Sequence, residues 1–111
     1  MVVYKLDDRL FFANARYVKG RVQEAIRAAP TETAWLVFDA EAVSHVDATG
    51  IEMLGELARE LRADEVTLVV ARLRRRMHED FETAGVLDEI GRERFYESVD
   101  LAIAACAQTR S

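Results

Sequence analysis

The chain has 111 residues, enough for one ordinary domain and too few for two. Half of the residues are hydrophobic and 32% are charged, the balance of a soluble surface around a real core. A net charge of −5 disfavours nucleic acid as a general partner, because phosphate contacts need a basic face.

Val2 to Leu6, "VVYKL", is β-branched and aromatic and reads as a strand. Asp7-Asp8 is a turn signal and "RLFF" reads as a second strand, so an N-terminal antiparallel hairpin is expected. Asn14 is a good N-cap for the next segment, where Val18, Val22, Ala25, Ile26 and Ala29 recur at helical spacing until Pro30 stops them. "TAWLVFDA" is apolar on both sides around Trp35 to Phe38, the pattern of a strand inside a parallel sheet. Ile51, Leu54, Ala58 and Leu61 define a second amphipathic helix, and Val66 to Ala71 a third buried strand. Leu73, Met77, Phe81 and Ala84 give a third helix, ended by Gly85. Phe95-Tyr96 is a short strand or turn, and Ser98 caps a last helix on which Val99, Ala102, Ile103 and Cys106 share a face. The expected fold is a single α/β domain: a mixed, mostly parallel sheet with the hairpin at one edge and about four helices.

The single cysteine, Cys106, excludes an intramolecular disulfide and a cysteine-rich metal framework, and fits a reducing cytosol. The longest apolar runs are strand-sized and too short to span a bilayer. The N-terminus is charged from Lys5 onward and has no secretory apolar stretch. GxGxxG, GxxxxGK[ST], HExxH, CxxC and GxSxG are all missing, and no nucleophile–base constellation stands out, so a non-catalytic role is expected, with no metal and no cofactor. His45 and Asp47 alternate and would share a strand face, but they read as ordinary polar positions near a strand end.

Two stretches carry candidate function. "RLRRRMH" at 72–78 is the one basic cluster in an acidic chain. Arg72, Arg74, Arg75 and Arg76 either form a solvated helix start or contact anionic lipid headgroups, a nucleotide phosphate or an acidic partner. The solvated start is the plainer of the two, and the poor fit of cations to a helix N-terminus adds some weight to the second. The other stretch is "SHVDATGIEML" at 44–54. Thr49-Gly50-Ile51-Glu52 fits a capping box, with the Thr49 hydroxyl opening the helix and Glu52 reaching back. The same geometry would stabilise a phosphate on Thr49, although Asp47 and Glu52 lie close enough to repel it.

Three segments together resemble a STAS domain: "VVYKLDDRLFFANARYVKGRV", "WLVFDAEAVSHVDATGIEML" and "AGVLDEIGRERFYESVDLAI". The match is to the version at the C-terminal end of SulP-type anion transporters and covers essentially all of residues 1–111. The resemblance implies a regulatory domain on the cytoplasmic face of the membrane, following a transport domain for sulfate, bicarbonate or a dicarboxylate. The chain then reads as a soluble fragment excised from a longer transporter. Its implied partners are that transport domain, another protein or a second copy, and family precedent adds GTP or ATP binding. The other branch of the family comprises anti-sigma factor antagonists, in which a serine at the helix start is phosphorylated within D-x-S-G. Asp47, Thr49 and Gly50 match that turn with Thr49 at the acceptor position, while "DRLFFANA" departs from the G-E-L-D-like segment of the antagonists and resembles the transporter branch.

Overall fold

The computed structural model describes residues 1–108. Four strands form one all-parallel sheet in the sequential order β1-β2-β3-β4: Val2–Lys5, Trp35–Asp39, Thr67–Ala71 and Phe95–Tyr96. Helices α1 (Ala15–Ala28), α2 (Ala48–Ala63), α3 (Arg75–Thr83) and the short α4 (Val86–Ile90) lie in the crossovers, and α5 (Val99–Gln108) closes the chain. Right-handed crossovers that always step the same way deposit their helices on the same face. Accordingly Leu36, Phe38, Leu68 and Val70 pack under α1 to α4 in one large core. Among the described residues the other face carries only α5, whose Ala102 and Cys106 cover Val37, Val69 and Ala71.

This layout explains the strand patterns. β2 and β3 are covered on both faces and are buried without interruption from their second residue onward. β1 is an edge strand beyond the reach of α5, and it alternates: Val2 and Tyr4 face the core, while Val3 and Lys5 are exposed.

The α/β class and the parallel pairing of the central strands are as expected. The antiparallel hairpin is not formed, so the sheet is not mixed: β1 pairs with β2 in parallel, Val3 opposite Val37, and Leu10 makes only an isolated parallel bridge to Val46. The side chain of Asn14 turns the chain here. Its Oδ1 accepts from the Phe11 N–H (2.9 Å) and its Nδ2 donates to the Arg9 carbonyl (2.7 Å). "RLFF" is apolar because Leu10 is fully buried beneath the helices, not because it joins the sheet. Asn14 does precede α1, but its side chain serves this loop and makes no capping bond to the helix.

The later boundaries follow their local chemistry. Gly85 stands just past α3 with φ +77, a left-handed conformation that favours glycine. It also begins α4, a helix not foreseen from the spacing. The Ser98 hydroxyl accepts from the Leu101 N–H (3.0 Å) at the start of α5. On that helix Ala102 and Cys106 are buried, whereas Ile103 turns outward. Burial pushes the Cys106 thiol up, away from the reactive thiolate form.

Phe38 is 1% exposed at the centre of the larger core and stacks on Tyr4. Phe38→Ala is expected to cost about 3–5 kcal/mol in urea unfolding, against less than about 0.5 kcal/mol for Leu101→Ala on the outer side of α5.

Candidate functional site

The turn that starts α2 is built around Asp47. Its Oδ1 accepts from the Gly50 N–H (2.8 Å) and its Oδ2 from the Phe12 N–H (2.9 Å). One carboxylate therefore caps α2 and holds the loop after β1. Backbone bonds reinforce the junction: Leu10 N–H to the His45 carbonyl (2.8 Å) and Asp47 N–H to the Leu10 carbonyl (3.1 Å). The Gly50 N–H bond is the main cause holding the Asp47 carboxyl below its ordinary pKa, with Phe12, the neighbouring His45 and the Thr49 N–H adding to it.

Gly50 is required here for space. A Cβ at this position would lie 2.8 Å from the Leu10 carbonyl oxygen, a backbone atom that the Leu10–Asp47 bond holds in place. Gly50 thus lets α2 seat directly on the loop after β1.

The expected capping box does not form. The cap is Asp47, two residues before Thr49, and the helix begins at Ala48. A carboxylate is a stronger acceptor than a hydroxyl, and this one is also oriented by the Phe12 N–H of the loop after β1. Thr49 falls inside the first turn, exposed, and its hydroxyl has no hydrogen-bond partner within the described residues. It lines an open groove of about 570 Å³ between α1 and α2, together with Arg16, Gln23 and Glu52. In that groove Lys19 of α1 is bound by Glu56 (2.6 Å) and Glu60 of α2.

The basic cluster is split by the fold. Arg72 ends β3 with φ +63, its N–H bonded to the Tyr96 carbonyl (2.8 Å). Its guanidinium pairs with Glu41 (2.5 Å) and stands 3.7 Å from the buried Asp39. Arg76 donates to the Ser44 carbonyl (3.0 Å) and so ties α3 to the loop that carries Asp47. Arg74 and Arg75 are exposed at the start of α3. Arg72 and Arg75 line one cavity with His78, a residue the spacing of the arginines did not single out. His45 and Asp47 lie in the loop before α2, and both Asp47 oxygens are occupied by N–H groups.

Residues 1–102 match the STAS domain family. The chain belongs to that family. This STAS domain is 32% identical over 105 residues to the probable sulfate transporter 3.5 of Arabidopsis thaliana, a match covering 95% of the domain and 17% of the transporter. Its backbone superposes on the STAS domain of a SulP transporter from Vibrio cholerae with a TM-score of 0.77 at 20% identity, covering 97% and 81% of the two chains. It also superposes on the anti-sigma factor antagonist SpoIIAA in its unphosphorylated form with a TM-score of 0.64 at 16% identity, covering 98% and 89%. The domain spans less than a fifth of the length of the curated relatives it matches first. Among the described residues, no helix is long and apolar enough to cross a membrane.

Asp47→Ala is expected to destabilise the STAS domain by about 1–2 kcal/mol in denaturant unfolding near neutral pH. Asp47 has a lowered folded pKa, so its contribution is present above the unfolded value and is lost as pH falls through the folded one. The stability gap between wild type and Asp47→Ala should therefore be constant above about pH 5 and narrow below about pH 4. A gap independent of pH would remove the carboxylate from this role.

Proposed function

We propose that this STAS domain is a non-catalytic regulatory and interaction domain of a SulP-type anion transporter, docked on the cytoplasmic face against the transport domain of the same polypeptide. The observation that carries the proposal is the match of nearly the whole domain to one segment, 17% long, of a probable sulfate transporter. Sheet topology supports a role other than catalysis. A sequential strand order never reverses direction, so it lacks the crevice at a switch point where open α/β sheets hold substrates. Sulfate is the anion that relatives' names suggest, with bicarbonate or a dicarboxylate as the alternatives.

The reading frame that encodes this domain is expected to include upstream a series of apolar spans of about 20 residues each. Radiolabelled sulfate uptake by cells expressing that full-length chain should fall at least several-fold when the domain is deleted while the transporter still reaches the membrane. A free-standing reading frame beside a kinase gene would overturn the proposal.

One observation favours a second reading, a phospho-switch that binds a regulator. The Thr49 side chain is exposed and its hydroxyl has no hydrogen-bond partner among the described residues, in the first turn of the 16-residue α2, where the helix dipole favours a phosphate. Incubation with a cognate kinase and ATP should then add one phosphate by intact mass, and Thr49→Ala should abolish the addition. A mass shift that survives Thr49→Ala would eliminate this reading.

A further inference from the structure

Cations in this acidic chain generally meet carboxylates. Arg92 is paired with Glu82 and Asp88, Arg59 and Arg62 with Glu89, Lys19 with Glu56 and Glu60. Arg74, Arg75 and Arg76 are three consecutive arginines that form no ion pair within the described residues. They also stand at the positive end of α3, whose first turn contains no acidic residue. Three consecutive positive charges are therefore left without a carboxylate partner on a chain of net charge −5.

That stretch adjoins a cavity of about 610 Å³ between the start of α3 and the edge strand β4. Arg75 and His78 of α3 form one wall, and Arg72 forms another. Arg72 is fixed there by its backbone bond to Tyr96 and by Glu41, while its Nε faces the buried Asp39 carboxylate at 3.7 Å. Phe95 and Tyr96 supply aromatic surface, with the His78 ring 5.5 Å from that of Phe95. Glu97 is the only carboxylate among the described lining residues.

We propose that this open pocket binds a tetrahedral oxyanion, with Arg75 and His78 as its donors and Arg72, held by its carboxylate partners, as a fixed part of the wall. A guanidinium fork suits two oxygens of a sulfate or phosphate group, and an imidazole adds one further donor. The cavity accepts the oxyanion either as a free inorganic ion or as the head of a phosphomonoester. The site is separate from the Thr49 turn and does not depend on the transporter reading.

The test is a titration of the ¹⁵N-labelled chain with sodium sulfate, sodium phosphate and glycerol 3-phosphate in separate arms, with ionic strength held constant by sodium chloride. Expected are saturable amide shifts at Arg75, His78, Phe95 and Tyr96. Arg75→Gln should weaken binding about tenfold. Arg75 is exposed and unpaired, so that variant should keep the dispersed spectrum of the folded domain. Arg27→Gln, which removes an exposed charge from the last turn of α1, should bind like wild type. Tighter binding of glycerol 3-phosphate would support the site as one for phosphomonoesters, and tighter binding of sulfate or phosphate would support it as one for free ions. Shifts that never saturate, or equal affinity in wild type and Arg75→Gln, would overturn the proposal.

Discussion

The contact between Gly50 and the Leu10 carbonyl sets the position of α2, and much of the domain is arranged around α2. That helix buries eight residues, from Gly50 to Leu61, and forms the middle of the helical layer against α1 and α4. It seats this deeply because its first turn has no Cβ where the loop after β1 passes beneath it. Asp47 then holds the seating from the side with one oxygen on each partner. Lys19, Glu56 and Glu60 hold α1 to α2 farther along. Burial supplies most of the stability, while the Asp47 and Gly50 contacts select one arrangement of the helical layer out of several that would bury similar area.

Features encoded within a few residues were readable before the structure. The unbroken apolarity of Trp35–Phe38 and Val66–Ala71 reports burial on both faces, and the spacing through α1 and α2 reports one covered side. Gly85 and Ser98 act where they stand, because left-handed backbone and a hydroxyl cap are local properties. The errors arose where a residue's partner lies far along the chain. Leu10 has the apolarity of a strand, but its surroundings come from α2, about forty positions later. Thr49 satisfies the capping pattern, yet Asp47 takes the role because Phe12 and Leu10 have already oriented it. Similarly, four adjacent arginines look equivalent in sequence, and only the fold directs Arg72 to Glu41, Arg76 to Ser44 and Arg75 to a cavity with His78.

The D-A-T-G turn therefore divides its labour. Asp47 and Gly50 are explained by structure alone: one satisfies backbone donors from the loop after β1 and from the first turn of α2, and the other avoids a collision with backbone. Thr49 is explained by neither, since it is exposed and its hydroxyl is unbonded. A residue without structural duty, held in fixed geometry by neighbours that have one, is suited to presentation on a surface. The Thr49 side chain can therefore change without removing the cap of α2, which Asp47 supplies.

Both candidate surfaces are attached to the same short loop. Residues 40–47 connect β2 to α2, and Asp47 at the end of this loop fixes the turn that displays Thr49. Arg76 bonds the Ser44 carbonyl from the start of α3, one residue after Arg75 enters the cavity beside β4. Glu41, near the other end of the loop, holds Arg72 on the opposite wall of that cavity. A ligand that drew Arg72 or Arg75 inward would act on this loop through Glu41 and through α3, and a charge placed on Thr49 would act on it through Asp47. Coupling between two sites requires a shared element whose arrangement both can bias, and residues 40–47 are the segment that touches both.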